Sequence, residues 1–123
     1  MIIKTKHLIL RPFQNGDEFD LLEYLKKVTV NCFIDIKINK IEEAINEVIE
    51  RIKKSEYYFA IVLESENKVI GEIEADGKSC NFTSKINDTF SPCWILNNKY
   101  QGRGYAYEAC LAFNWWNDPS FNW

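Results

Sequence analysis

The sequence predicts an α+β domain, with a mainly antiparallel sheet flanked by helices in the order β-α-α-β-β-β-α. Three observations predict it. Tyr57-Tyr58-Phe59-Ala60-Ile61-Val62-Leu63 and the run from Lys68 to Ala75 are rich in aromatic and β-branched residues, and only Glu64-Ser65-Glu66-Asn67 separates them, so they read as a hairpin. Ile41, Ala44, Ile45, Val48, Ile49 and Ile52 recur at i, i+3, i+4, i+7, i+8 and i+11, a spacing that gathers them on one face of a helix. The apolar run Pro92-Cys93-Trp94-Ile95-Leu96 leads through a loop with two glycines into a second helical pattern, so strand, tight loop and helix follow one another.

The elements follow in chain order. Leu8-Ile9-Leu10-Arg11-Pro12-Phe13 alternates and stops at proline, which predicts a first strand close to a sheet edge at Pro12. Asn15 is placed to cap a helix, with Glu18 three residues on completing a capping box. Phe19, Leu22 and Leu25 would form its buried face, and the helix should end near Val28. Thr29 to Lys37 is irregular and reads as a loop. Asn39 caps the next helix with Glu42 in the box position, and its charges, Arg51 among them, lie mostly off the apolar face. Glu47 and Arg51 form a favourable i, i+4 pair. Such a helix either packs on its own sheet, the expected case, or offers its face to a partner. Gly71 in the middle of a strand marks a bulge or a close neighbour. Glu72 and Glu74 share one strand face, either as an acid/base pair near an amine or, as expected, as a solvated face. Asp76 to Asp88 is polar and rich in Gly, Asn and Ser, hence a loop. Thr89 to Leu96 is the strand that feeds the two-glycine loop. Tyr105, Ala106, Ala109, Cys110, Phe113 and Trp116 then trace the last helix, which Asp118-Pro119 stops.

Composition narrows the function. The 123 residues, 46% hydrophobic and 27% charged, fit a single domain that buries roughly two thirds of its extended surface. A net charge of −3 without a basic patch argues against a nucleic-acid partner. No apolar run reaches membrane-spanning length, and the opening Met1-Ile2-Ile3-Lys4-Thr5-Lys6 is too short and charged for a signal peptide, so a cytoplasmic location is expected. Cys32, Cys80, Cys93 and Cys110 are scattered and His7 is the only histidine, which gives no zinc spacing and predicts no metal. A Cys–His catalytic pair has no further support. Reduced cysteines are expected, with Cys93 and Cys110 packed as small hydrophobes.

The chemistry concentrates in Lys99-Tyr100-Gln101-Gly102-Arg103-Gly104-Tyr105-Ala106-Tyr107-Glu108-Ala109. Glycines permit positive φ and let a ligand lie against bare backbone. The first turn of the following helix has unpaired N–H groups and the positive end of the helix dipole, which together favour a phosphate or pyrophosphate. A dinucleotide fingerprint fails, because Tyr107 stands at its third glycine position, and a P-loop fails for want of Gly-Lys-Ser/Thr. The pattern Gln/Arg-x-x-Gly-x-Gly/Ala is met by Gln101, Gly104 and Ala106. A plain strand–turn–helix corner, whose glycines only relieve strain, is the alternative.

This pattern resembles the coenzyme A pyrophosphate loop of the GNAT superfamily of N-acetyltransferases. The wider match, Trp94-Ile95-Leu96 and Tyr100 to Ala109, looks like the branch that acetylates protein N-termini, including those of ribosomal proteins. The resemblance runs from about Leu8 to Ala112. It implies a GNAT-like sheet and transfer of acetyl from acetyl-CoA to a primary amine, a protein N-terminus or a small molecule. It places the cofactor on Trp94, Ile95, Leu96, Gln101, Gly102, Arg103, Gly104, Tyr105 and Ala106, and the acceptor partly on the first helices. It assigns no catalytic acid or base to any residue here. The family continues with strand, helix, strand, strand, and this sequence instead closes on Asn114-Trp115-Trp116-Asn117-Asp118-Pro119-Ser120-Phe121-Asn122-Trp123. The expectation is therefore an incomplete domain, either weak in catalysis or a coenzyme A-binding or interaction module. Its open strand edge favours a homodimer unless the terminal aromatics cover it.

Overall fold

A computed structural model of the chain describes residues 2–26, 38–74 and 93–117. Its elements are β1 (Ile3–Lys4), β2 (Leu8–Arg11), α1 (Glu18–Leu25), α2 (Ile41–Lys53), β3 (Tyr58–Leu63), β4 (Lys68–Glu74), β5 (Cys93–Leu96) and α3 (Tyr105–Asn117). The strands form one antiparallel sheet in sequence order, β1-β2-β3-β4-β5. Strand alternation divides their side chains between two layers. Ala60, Val62, Val69 and Ile95 pack with Leu21, Tyr24, Leu25, Ala44 and Val48 of α1 and α2. Phe59, Ile61, Leu63, Ile70, Ile73 and Leu96 pack with Ala109, Ala112 and Phe113 of α3. The sheet thus lies between α1 and α2 on one face and α3 on the other, and the expected fold class holds.

Several details differ from the sequence reading. The extra strand β1 pairs Ile3 with Leu10 and Lys4 with Ile9, so β2 is an inner strand. Pro12 falls just beyond β2 and marks its end, not a sheet edge. α1 starts at Glu18 with Asp17 in the cap position, not Asn15, and the Asp17 side chain makes no cap bond. That carboxylate is taken by the Arg11 guanidinium, with two contacts of 2.9 Å, and by the Gln14 N–H at 2.8 Å. Glu18 instead accepts from the Gly16 N–H at 2.9 Å.

The buried face of α1 is Leu21, Tyr24 and Leu25, and Phe19 stays 68% exposed. The helix is turned because Asp20 accepts from the Val69 N–H at 3.1 Å and Glu23 takes Lys68 at 3.0 Å, both at the start of β4. α1 ends at Leu25, short of Val28, which is outside the described residues.

α2 is also shifted. Its cap position is Lys40, and Glu43, not Glu42, accepts the N–H groups of Asn39 and Lys40 at 3.1 Å each. Its buried stripe is Ala44, Val48 and Arg51, while Ile45, Ile49 and Ile52 remain exposed. The buried Arg51 and the buried Glu72 and Glu74 overturn the reading of solvated charges. Glu72 is paired: its Oε1 accepts from the Tyr24 hydroxyl at 2.8 Å and its Oε2 from Arg51 Nε at 3.0 Å. Burial of a charge is tolerated when it is paired in this way.

Both readings of Gly71 are realised. Ile61 pairs with Gly71 and Val62 with Val69, so Ile70 is an extra, bulged residue. A Cβ on Gly71 would sit 2.2 Å from the Ile95 carbonyl oxygen of β5. The loops read at Thr29 to Lys37 and Asp76 to Asp88, the stop at Asp118-Pro119 and the terminal aromatic cover lie outside the described residues or side chains.

Candidate functional site: the corner between β5 and α3

β5 ends at Leu96. Asn97 turns the chain into one 3-10 turn, Asn98–Tyr100, and Gln101 is extended. Gly102 and Gly104 then take φ of +80° and +82°, the left-handed region that side chains disfavour. A Cβ on either would meet nothing within 4 Å, so glycine is needed there for the backbone and the side it exposes is open. α3 begins at Tyr105, and its first ladder bond runs from the Glu108 N–H to the Gly104 carbonyl at 3.0 Å. The N–H groups of Tyr105, Ala106 and Tyr107 precede that bond and are the orphan donors of a helix start.

Neighbouring side chains hold this corner rigid. The Asn97 N–H bonds the Ile70 carbonyl at 2.7 Å, and the Asn97 Oδ1 accepts from the Lys99 N–H at 2.9 Å. Gln101 Nε2 donates to the Leu96 carbonyl at 3.3 Å. The buried Tyr100 gives its hydroxyl to Glu66 at 2.6 Å and carries the Arg103 guanidinium over its ring at 5.3 Å. The first turn of α3 is tied to the start of the chain. Glu108 accepts from the Thr5 hydroxyl, the His7 N–H at 2.8 Å and His7 Nδ1 at 2.8 Å. Burial raises the Glu108 carboxyl, but these hydrogen bonds outweigh it and leave it below the usual range.

An open helix start behind two left-handed glycines is an anion cradle. A model of the acetyltransferase (GNAT) domain matches residues 7–122, covering this corner and strands β2 to β5 of the sheet that carries it. The chain belongs to the GNAT acetyltransferase family. An N-acetyltransferase of Bacillus subtilis strain 168, YnaD, itself uncharacterized, is 30% identical over 112 residues, 91% of this chain and 62% of its own. A solved GNAT-family acetyltransferase from Bacillus anthracis shares 25% identity at a TM-score of 0.72, over 95% of this chain and 66% of its own. The ribosomal-protein-S5-alanine acetyltransferase from Vibrio fischeri has the same fold, with a TM-score of 0.59 at 15% identity over 94% of this chain and 66% of its own. This chain therefore spans under two thirds of the length of the curated relative and about two thirds of these structures.

Within this GNAT domain, the predicted site residues lie along one continuous path. β5 is the last strand of the sheet, and among the described residues none pairs with its outer edge. Ile95 and Leu96 point into opposite cores and Trp94 is half-buried, so β5 offers a ligand its backbone. Gly102, Arg103 and Gly104 form the exposed turn, and Tyr105 and Ala106 contribute N–H groups while their side chains are half-buried. Gln101 is exposed, but its amide is turned back onto Leu96, which makes it a brace of the loop.

The sequence reading missed the buried network beneath β4. Arg51 Nη1 bonds Glu47 at 2.6 Å, its Nη2 is buried without a hydrogen-bond partner, and its guanidinium lies 5.2 Å from the Tyr58 ring and 5.8 Å from the Phe13 ring. Burial lowers the Arg51 proton affinity, but Glu72 beside it more than restores it; burial and Glu72 push the Tyr24 hydroxyl well up. A signal did exist: Arg51 continues the i, i+3, i+7, i+10 series of Ile41, Ala44 and Val48.

Glu72, Cys110 and His7 are not poised as acid or base at the edge of β5. Both Glu72 oxygens are bonded in the interior, and burial pushes the Cys110 thiol up to about 12. His7 is engaged by Glu108. The described residues gather no group of three or more potential metal ligands, and no described helix is long and apolar enough to cross a membrane.

Proposed function

We propose that this chain binds coenzyme A at the β5–α3 corner and transfers acetyl from acetyl-CoA to a primary amine, a protein N-terminus or a small amine. One observation carries the reading: Gly102 and Gly104, both left-handed and open, stand before the unpaired N–H groups of α3. The residues fit the group. Gly102 to Ala106 would hold the pyrophosphate by backbone N–H donors, and the free edge of β5 at Trp94-Ile95-Leu96 would hold the amides of the pantetheine arm. Acetyl-CoA would supply the acetyl group already activated as a thioester. The chain's own contribution is to fix and orient that arm.

A second reading has support of its own. With Glu72 and His7 engaged and the Cys110 thiol held protonated by burial, the chain would bind coenzyme A with weak or no turnover. Calorimetry with coenzyme A, followed by an acetylation assay over N-terminal peptides and small amines, separates the two. Submillimolar binding is expected, and binding without transfer selects the second reading. If neither coenzyme A nor acetyl-CoA binds, both fail.

A further inference from the structure

The two-glycine turn lies between two fixed posts. The near post stands beside β5, where the Asn97 N–H bonds the Ile70 carbonyl of β4 at 2.7 Å. Tyr100 then gives its hydroxyl to Glu66, in the link between β3 and β4. The far post is the first turn of α3, fastened to the residues just before β2. Glu108 accepts there from the Thr5 hydroxyl, from the His7 N–H at 2.8 Å and from His7 Nδ1 at 2.8 Å. The His7 ring also meets the ring of Tyr105, the first residue of α3, with centroids 5.8 Å apart. These donors are themselves held. The Thr5 hydroxyl oxygen accepts from the Leu8 N–H at 3.0 Å, and the Thr5 N–H bonds the Leu8 carbonyl at 2.8 Å. The His7 carbonyl accepts from the Glu64 N–H at 3.0 Å. The chain from Asn97 to Glu108 thus crosses the end of the sheet from β5 to β2 and is tied at both sides. Gly102 and Gly104 stand between the posts. Glycine does not by itself select a φ of +80° or +82°, so the fixed ends must.

We propose that Glu108, with Thr5 and His7, positions the pyrophosphate cradle, by holding the first turn of α3 at a set distance from the Gly102–Gly104 turn. The proposal rests on the coenzyme A reading of the corner and assigns to it three residues outside the cradle. A carboxylate in the first turn of an anion-binding helix repels the anion unless it is engaged elsewhere. Both Glu108 oxygens are so engaged, one by Thr5 and the His7 N–H, the other by the His7 ring. A cradle already held in its bound shape spares the ligand the cost of ordering it, so the clasp should be read in affinity as well as in stability.

Calorimetry with coenzyme A on the full chain, alongside urea unfolding, tests it. Glu108→Ala should weaken binding about tenfold, the effect of one well-placed contact. Thr5→Val with His7→Phe removes both side-chain donors and should weaken binding in the same direction. Glu108→Gln still accepts from Thr5 and from the His7 N–H, and should stay within about threefold of parent. Tyr24→Phe is the control for stability alone. It removes the hydrogen bond to Glu72 on the opposite face of the sheet, and should lower stability while leaving coenzyme A affinity unchanged. A purely structural clasp predicts that same result for Glu108→Ala. Folded Glu108→Ala that binds within about twofold of parent therefore overturns the proposal, as does an equal loss of affinity in Tyr24→Phe. If Glu108→Ala does not fold, the Thr5→Val, His7→Phe variant decides by the same criterion. Gly104→Val separates the clasp from the corner. Binding lost in that variant but undiminished in Glu108→Ala upholds the corner and overturns the clasp, and a parent that binds no coenzyme A overturns both.

Discussion

Glu108 is one residue of the glycine loop's helix, yet it works as a clasp. It accepts three hydrogen bonds from Thr5 and His7 and so fastens the corner to the loop between β1 and β2. Glu108→Ala should cost about 1–3 kcal/mol in urea unfolding, the penalty for donors left without an acceptor. The folded Glu108 carboxyl sits below its usual value. Its contribution is therefore complete above the unfolded carboxylate range, about pH 4–5, and fades as pH falls through the lower folded value. Glu23, also lowered, acts in the same sense. Stability of the parent should thus fall steadily below about pH 5, and the Glu108→Ala variant should show a shallower slope there. Gly104 is a second single-residue lever. At φ +82°, valine there is strained whatever the space, so Gly104→Val should destabilise by about 1–3 kcal/mol and lower coenzyme A affinity at least tenfold. A variant binding as tightly as the parent would show that the corner holds no pyrophosphate.

At the level of elements, β4 does the joining. Its bulge at Ile70 and the bare Cα of Gly71 let β5 approach, with the Ile95 carbonyl where a side chain would stand. Gly71→Ala should push β5 away and cost about 1–3 kcal/mol, as overpacking does, with coenzyme A binding weakened because the corner rides on β5. On the other face, Glu72 receives Tyr24 from α1 and Arg51 from α2, so one carboxylate seats both helices. Arg51→Met leaves that carboxylate buried without its cation and should cost about 3–5 kcal/mol. The double variant Arg51→Met with Glu72→Gln should lose less than the sum of the two single changes. Additive losses in that cycle would mean the pair is not coupled.

Among the described residues the sheet has two edge strands, the two-residue β1 and the four-residue β5, and β5 offers the longer outer side. An unpaired edge invites another strand. In the proposed reading the pantetheine amides need the same backbone groups. A second copy and coenzyme A would then compete for one edge, and sedimentation should show a dimer at micromolar concentration that saturating coenzyme A shifts toward monomer. A monomer both with and without coenzyme A would remove the edge as an association surface.

The β3–β4 hairpin, α2 and the β5–loop–α3 corner were legible in the sequence because their signals are local. Two β-branched runs around Glu64-Ser65-Glu66-Asn67, a twelve-residue helical series and two glycines before an amphipathic run each fit within a few turns of chain. The same locality limited the reading. α1 shows two plausible apolar stripes, and only contacts from Asp20 and Glu23 to β4 decide that Leu21 and Tyr24 face the core while Phe19 stays exposed. β1 has two residues and no pattern of its own. The pairs that seat the helices and clasp the corner join residues 48, 21 and 101 positions apart, Tyr24 to Glu72, Arg51 to Glu72 and His7 to Glu108. Periodicity and turn chemistry determined which segments become strands and helices, because each depends on near neighbours. The tertiary structure alone decided which face is buried and which charges are paired, because burial and pairing depend on what the rest of the chain brings alongside.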